Sequence, residues 1–272
     1  MKFPRIRTII LVPVTLFMLF YLTGVVLLLL DDRTVAPLDG PYESQQTVAI
    51  FGASGTAGDG ILKAALADQG VKEIRVFTRR STPRIDAGVA SGKVKMTLHL
   101  DYLDYSAIHE QIASVDAVYW AIGTSSAGVD EKTYGMIHVD FPVHFVGEWL
   151  GVSTKPDISF HYISSSDISA DSSMMWAREK VRAENTLFDL AEGSNLRVIA
   201  YRPDYIRPTK EEAHLGQDIL YWFFAPVGAA VRAPQIGQAM LEVTARPDEF
   251  GNRAHLGTRS IIRYSDAYDH NK

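Results

Sequence analysis

Three glycines form the strongest candidate for a binding site in this 272-residue chain. Gly52, Gly55 and Gly58 follow an apolar run, residues 47–51, and precede a helical pattern. Glycine lets the backbone turn tightly and approach a pyrophosphate, and a helix start offers free N–H groups and the positive end of its dipole. The order strand, glycine turn, helix therefore predicts a dinucleotide site. The expected contacts are Gly52, Ser54, Gly55, Thr56, Ala57 and Gly58.

The residues at the end of the second apolar run bear on which dinucleotide binds. NAD sites place a carboxylate there for the ribose 2′-hydroxyl, whereas NADP sites place an arginine against the 2′-phosphate. Arg79 and Arg80 follow this run, while Glu73 begins it and would lie at the wrong end. The sequence favours NADP over NAD. After the third run, Asp101 and Tyr102 are expected to reach the adenine.

Short apolar runs alternate with helical patterns from residue 46 onward. The predicted strands are 47–51, 73–77, 94–100, 117–122, 158–163 and 196–201, and the clearest predicted helices are 57–67, 105–113, 133–150 and 175–191. Alternating strands and helices imply parallel pairing through right-handed crossovers. We predict an α/β protein with a doubly wound parallel sheet, a Rossmann fold, over residues 46–272, with a small C-terminal lobe from about residue 204.

Composition excludes several classes of function. The net charge is −5 and there is no basic stripe, which argues against nucleic acid as a partner. The chain has no cysteine, so thiol catalysis and thiolate metal sites are excluded. None of the eight histidines forms a ligand pair at helical spacing, so no metal site is predicted. A small-molecule substrate remains the expected partner.

The N-terminal region carries a long uncharged segment. Residues 8–30 form 23 consecutive residues without charge. As a helix they would be about 34 Å long, enough to cross a hydrocarbon layer of about 30 Å, and they exceed the apolar core of a signal peptide. We predict a single-pass membrane anchor in residues 1–30 and a linker in residues 31–45. A signal peptide cleaved near Ala36 is the alternative.

Two arguments disagree about the side of the membrane on which the domain lies. Lys2, Arg5 and Arg7 precede the span and only Arg33 follows closely, so the positive-inside rule places the domain outside the cytoplasm. Use of NADP places it in the cytoplasm. Both interpretations stay open.

Several later stretches occur in the order in which one superfamily carries them. They are 121–124, 139–141, 160–165, Lys180 with Glu184, Arg202 with Pro203, 237–241 and 261–266. Together with the glycine turn they resemble the short-chain dehydrogenase/reductases. The chain is most similar to atypical NAD(P)H-binding members, the NmrA-like and Tat-interacting-protein-type oxidoreductases. The resemblance covers about residues 46–266 and adds Ala121, Gly123 and Lys180 as expected cofactor contacts.

The resemblance implies a mechanism in which a serine orients a carbonyl and a tyrosine donates a proton. A lysine four residues later binds ribose and lowers the tyrosine pKa. Ser165, within the serine run 164–166, and Lys180 fit these roles, but Trp176 occupies the tyrosine position. An indole N–H cannot serve as a proton acid at physiological pH.

Three interpretations of the tryptophan stay open. Tyr134, His138 or Tyr205 supplies the proton; the site binds NADPH without turnover; or the redox chemistry needs no tyrosine. The chain is therefore expected to be a membrane-anchored NADP-dependent oxidoreductase acting on a small or lipophilic carbonyl or alcohol, or else an NADPH-binding scaffold or assembly factor.

Two further stretches have more than one interpretation. Residues 219–231 carry no charge and are rich in aromatic side chains. They form a pocket for an apolar substrate, a face resting on the membrane, or a buried helix of the small lobe. Arg202 with Pro203 is either a structural turn or a cofactor contact.

Overall fold

The computed structural model describes residues 6–38 and 47–271. Lys2 and Arg5 lie outside the described residues, as does part of the predicted linker. Helix α1, Ile6–Leu29, carries no charge after Arg7. Its segment Leu11–Leu29 is long and apolar enough to cross a membrane, by length and composition, and none of it is buried in the protein.

Seven strands form one parallel sheet, which confirms the predicted α/β doubly wound fold. They are β1 Thr47–Phe51, β2 Glu73–Thr78, β3 Val94–Leu98, β4 Ala117–Trp120, β5 Ile158–Ile163, β6 Leu196–Arg202 and β9 Ala254–Gly257. Their spatial order is β3-β2-β1-β4-β5-β6-β9. The order reverses between β1 and β4, and ligands of open α/β sheets bind outside the carboxyl ends of the strands at such a point.

Helices cover both faces of the sheet. On one face lie α2 Thr56–Ala67, α3 Pro83–Ala90, α9 Ala233–Thr244 and α10 Thr258–Asn271, and on the other α4 His109–Ile112, α6 Phe141–Val152 and α7 Met175–Ala191. Each face has its own apolar core, because the strands are buried on both sides. The two cores hold the sheet rigid behind the carboxyl edge where the candidate site lies.

The predicted helix over 133–150 is interrupted in the structure. It consists of α5 Glu131–Gly135, a π-helical turn Met136–Asp140 and then α6. Pro142 has no N–H to donate to the carbonyl of His138, one α-helical turn earlier. The Tyr162 hydroxyl donates to that carbonyl instead, at 2.9 Å. Proline therefore frees the carbonyl locally and a tertiary contact satisfies it, and π turns are frequent at functional sites.

Other element ends differ from the prediction by a few residues. Strand β3 ends at Leu98 rather than residue 100, since its last partner in β2 is Thr78. Strand β4 ends at Trp120 rather than residue 122, since β1 ends opposite it. Helix α3 was not among the predicted helices. Its local signal is Thr82, whose hydroxyl accepts a hydrogen bond from the backbone N–H of Ile85, three residues later. Proline follows Thr82 at the first helical position.

The predicted C-terminal lobe is smaller than the segment after residue 204. It contains β7 Tyr205–Arg207, α8 Leu215–Phe224, a short 3₁₀ turn Ala225–Val227 and β8 Ala230–Arg232. Strands β7 and β8 pair with each other. The chain then returns to the main fold through α9, β9 and α10, so that the lobe is an excursion at the carboxyl edge of the sheet.

Candidate functional site

The turn after β1 requires glycine at two positions. Gly52 has φ +81°, and a Cβ there would lie 2.6 Å from the carbonyl carbon of Ala121. A Cβ on Gly58 would overlap the carbonyl oxygen of Gly52. Both glycines are therefore needed for β1, β4 and α2 to meet closely.

Gly55 has no comparable role within the protein. It is the N-cap of α2, its φ of −101° suits any residue, and a Cβ would come no closer than 3.5 Å to another atom. No side chain caps the helix. The fold does not require glycine at position 55. The absence of a side chain there leaves the backbone N–H groups at the start of α2 open to a ligand. Such a cradle fits the pyrophosphate of a dinucleotide.

A cleft of about 490 Å³ opens at the carboxyl ends of β1, β2 and β4. It brings together eight of the residues expected to bind cofactor. They are Gly52, Ser54, Gly55, Arg79, Arg80, Tyr102, Ala121 and Gly123. Thr78, Ile122, Thr124, Met136, Ile137 and Phe141 complete the lining and were not predicted as contacts. Of these, only the π turn could not have been located from the sequence, because it depends on the Tyr162 hydrogen bond.

The other expected contacts lie outside this cleft. The Asp101 carboxylate accepts from the backbone N–H of Leu103 at 3.0 Å, closing a turn at the surface. Gly58 is buried behind the glycine turn, whereas Thr56 lines a neighbouring cavity of about 710 Å³. Ala57 is half-buried in the first turn of α2.

Two cations at the cleft have no partner among the residues that the structure describes. Arg79 and Arg80 are exposed, and within the described residues neither guanidinium makes a hydrogen bond or an ion pair. By contrast, Glu73 lies at the opposite end of β2 and pairs with Arg75 at 2.6 Å. The residues that line the cleft include no carboxylate. The site is therefore suited electrostatically to an additional phosphate group.

The neighbouring cavity shares Ser54, Gly55 and Arg80 with the cleft, and residues of the lobe close its far side. Arg84 and Asp59 form an ion pair there at 2.7 Å, and the Thr209 hydroxyl donates to Asp59 at 2.6 Å. The segment before α8 is thus tied to the helix that begins at the glycine turn.

Lys180 lies near the cleft but does not line it. The residue is 5% exposed, and its ammonium donates to the Ile163 carbonyl at 2.8 Å and to the Tyr162 hydroxyl at 3.2 Å. Burial lowers the pKa of Lys180 to about 7, although Glu184 opposes that shift. Lys180 can therefore gain or lose a proton near physiological pH.

His138 is linked to this lysine through Tyr162, whose hydroxyl accepts from Lys180 and donates to the His138 carbonyl. Its Nε2 lies 3.1 Å from both the N–H nitrogen and the carbonyl oxygen of Thr124, which lines the cleft. Burial, with a smaller contribution from Lys180, lowers the pKa of His138 to about 3, so the imidazole is neutral at physiological pH. Its Nδ1 is buried and has no partner among the described residues.

The structure separates the three candidate proton donors. The ring of Tyr134 stacks on His138 with centroids 4.1 Å apart, and burial raises the pKa of Tyr134 to about 12. Tyr205 lies in the lobe, where its hydroxyl donates to the Gln217 carbonyl. Of the three, Tyr134 and His138 join Tyr162 and Lys180 in one group of contacting residues, here called the Lys180 cluster, whereas Tyr205 does not.

The predicted catalytic residues follow β5 and begin α7. Ser165 is half-buried, whereas the hydroxyl of Ser164 is buried without a partner among the described residues. Trp176 is half-buried one helical turn before Lys180. Residues four apart share one face of a helix. The structure thus keeps the tyrosine-to-lysine spacing of the resemblance but supplies no acid at the first position.

Arg202 has a structural role. Its Nε donates to Glu184 at 3.0 Å, and His255 contacts the same carboxylate at 3.2 Å. The pair ties β6 to α7 and gives the arginine before Pro203 a structural role.

Comparison with known proteins identifies the fold. No model of a known protein family matches the chain, and no curated protein matches it. Among solved structures, a short-chain dehydrogenase/reductase from Saccharomyces cerevisiae is 14% identical with a TM-score of 0.60, covering 78% of this chain and 96% of that one. A 3-oxoacyl-[acyl-carrier protein] reductase from Brucella melitensis, in complex with NAD, is 14% identical with a TM-score of 0.61. The match covers 80% of this chain and 97% of the reductase.

A third structure, described as a short-chain dehydrogenase/reductase, glucose/ribitol dehydrogenase, from Brucella melitensis, is 14% identical with a TM-score of 0.63, covering 82% and 99%. At such identities the similarity establishes the fold. The chain therefore has the parallel Rossmann-like architecture of the short-chain dehydrogenase/reductases. The atypical, NmrA-like subtype rests on the sequence resemblance alone.

Proposed function

We propose that this chain is a membrane-anchored, NADP-dependent oxidoreductase of the atypical short-chain type, acting on a small or lipophilic carbonyl or alcohol. The observation that carries the proposal is the cleft at the switch point of the sheet. It combines an uncapped helix start beside Gly55 with two arginines that have no partner in the described part of the chain, and none of its described lining residues is a carboxylate. A diphosphate and a 2′-phosphate would be held by these groups.

The residues present fit a bound NADP. The helix start and Gly55 would hold the pyrophosphate, Arg79 and Arg80 the 2′-phosphate, and Tyr102 with Gly123 the flanking surfaces. When bound, the nicotinamide supplies or accepts a hydride. The Lys180 cluster lies next to the Gly123–Thr124 wall, where it would move a proton through Tyr134, through His138 or through water. Ser165 would orient the substrate oxygen.

Cofactor choice can be tested at the two free arginines. Replacing both Arg79 and Arg80 with alanine should weaken NADPH binding by about 10-fold to 100-fold, because charge-assisted hydrogen bonds contribute about 1.5–3 kcal/mol. NADH binding should change little. Calorimetric titration of both cofactors measures the difference.

The matched control is Lys72→Ala, which removes an exposed cation from the opposite end of β2. This variant should bind both cofactors like the wild type. Equal losses for NADPH and NADH in the double variant would contradict the NADP assignment.

A second function, an NADPH-binding scaffold or assembly factor, is favoured by two observations. Trp176 stands where a proton donor is expected, and Lys180 is already bonded to Ile163 and Tyr162. Such a protein would bind NADPH tightly without turnover.

The substitution Trp176→Tyr distinguishes the two functions. General acid catalysis contributes about 100-fold to 10,000-fold to a rate. If the chain is a scaffold that lost its acid, the variant should gain turnover of that order over the wild type across a panel of carbonyl compounds. The proposed enzyme should instead turn over substrate as the wild type and gain little from a second phenol. NADPH consumption measures both, with Trp176→Phe as the control.

A further inference from the structure

Helix α8 carries its apolar residues on the outside. Leu215 is 71% exposed and Trp222 is 62% exposed, and Ile219, Leu220 and Phe223 are also exposed. None of the α8 residues is buried. A helix of a water-soluble domain turns its apolar face inward, and contiguous exposed apolar surface marks an interaction site.

The polar side of the same helix faces the protein. Asp218 pairs with Arg207 at 2.7 Å, and the Arg207 guanidinium lies over the ring of Tyr221 at 4.9 Å. Gln217 lines the cavity that contains Ser54 and Gly55. The helix is therefore inverted, with hydrogen-bonding groups toward the fold and apolar groups toward its surroundings.

The outer face of α8 is continuous with α1. The ring of Phe223 stacks on Phe17 with centroids 6.2 Å apart, and the Tyr21 hydroxyl donates to the Phe223 carbonyl at 2.8 Å. Further along, Val227 packs against Gly24. The lobe thus lies along the half of α1 that is nearer the globular domain.

These contacts indicate how deep α8 would lie in a membrane that α1 spans. Gly228 lies against Leu28, and Asp31 pairs with Arg33 and Arg263, so charged groups begin where α1 ends. At about 1.5 Å per residue, Tyr21 and Phe17 lie about 12 and 18 Å from Leu29, and half of a hydrocarbon layer is about 15 Å. Phe223 would therefore lie close to the middle of a membrane that α1 spans.

We propose that α8 and the 3₁₀ turn after it are inserted in the same leaflet from which α1 emerges, with the Leu215, Ile219, Trp222 and Phe223 face in contact with lipid acyl chains. The proposal rests on the anchoring role of α1. It makes the lobe a second, monotopic membrane contact.

The fluorescence of Trp222 in the full chain, reconstituted in phosphatidylcholine vesicles, tests this placement. Lipids brominated near the ends of their acyl chains should quench most of the Trp222 emission, whereas iodide in the water should leave it unchanged. The Trp222 component is the difference between the wild type and Trp222→Phe. The same subtraction with Trp176→Phe gives a control residue on the main fold, which should show no quenching by lipid.

Each alternative result has a distinct meaning. Protein that fails to float with vesicles overturns both the anchor and the inserted helix. Protein that floats, but in which iodide and not bromolipid quenches Trp222, overturns the inserted helix and leaves the anchor intact. A Trp222 protected from both quenchers would mean that a second copy of the chain covers the face, which also overturns the proposal.

Discussion

A Gly55→Val variant should lose NADP(H) binding by at least about 100-fold while its stability stays within about 1 kcal/mol of the wild type. The physical reason is that position 55 has an ordinary backbone conformation and an open surrounding within the protein. A branched side chain there would occupy the space over the helix start without disturbing the core.

Gly58→Val provides the contrast. A side chain at position 58 would overlap the Gly52 carbonyl and force α2 away from the turn. We expect a loss of several kcal/mol in the free energy of unfolding, in the range of overpacked or strained sites. Calorimetric binding and urea denaturation of both variants measure the two effects separately. If Gly55→Val bound NADPH normally, the pyrophosphate would have to lie elsewhere.

Lys180→Met should make the protein more stable at low pH, with a benefit that fades as the pH rises. The pKa of Lys180 is lowered from 10.5 to about 7 by burial. Below pH 7 both the folded and the unfolded chain carry the proton, and the folded state bears the full cost of a buried ammonium. Between about 7 and 10.5 only the unfolded chain binds the proton, so the stability of the wild type rises with pH.

Methionine removes this cost together with two hydrogen bonds. At about 1.36 kcal/mol per pKa unit, less the lost bonds, the variant should be more stable at pH 6 by on the order of 3 kcal/mol. Near pH 10 the difference should vanish or change sign. Urea denaturation across this range measures it, and exposed Lys72→Met should show no such trend. A variant destabilised equally at all pH values would mean that Lys180 is not held in a low-dielectric site.

Much of the fold could be predicted because its signals are local. Strands β1 and β5 and helix α7 have the predicted bounds, since continuous apolar runs and helical periodicity are read over a few residues. The glycine turn was equally local, and eight predicted contacts share one cleft. Asp101 is predicted at the adenine because it follows a strand; the turn that its carboxylate closes with Leu103 is a further local contact, and the adenine contact stays a prediction.

The remaining features depend on partners that are distant in the chain. Arg79, Arg84 and Arg202 look alike in sequence, yet the last two are committed to Asp59 and Glu184, and Arg79 is free within the described residues. The His138 carbonyl is freed by Pro142 but satisfied by Tyr162 of strand β5. Local residue patterns do not specify such pairings, because the partners come together only when the sheet assembles.

The amino-acid sequence by itself determined that this chain builds a parallel sheet around a glycine turn, and that an uncharged helix precedes it. Propensity, periodicity and turn chemistry act between neighbours and need no tertiary context. Only the tertiary structure decided that Lys180 is buried against Tyr162, that two arginines at the cleft are unpaired within the described residues, and that α8 turns its apolar face outward. Those properties are set by burial and by long-range contacts, which exist only in the folded chain.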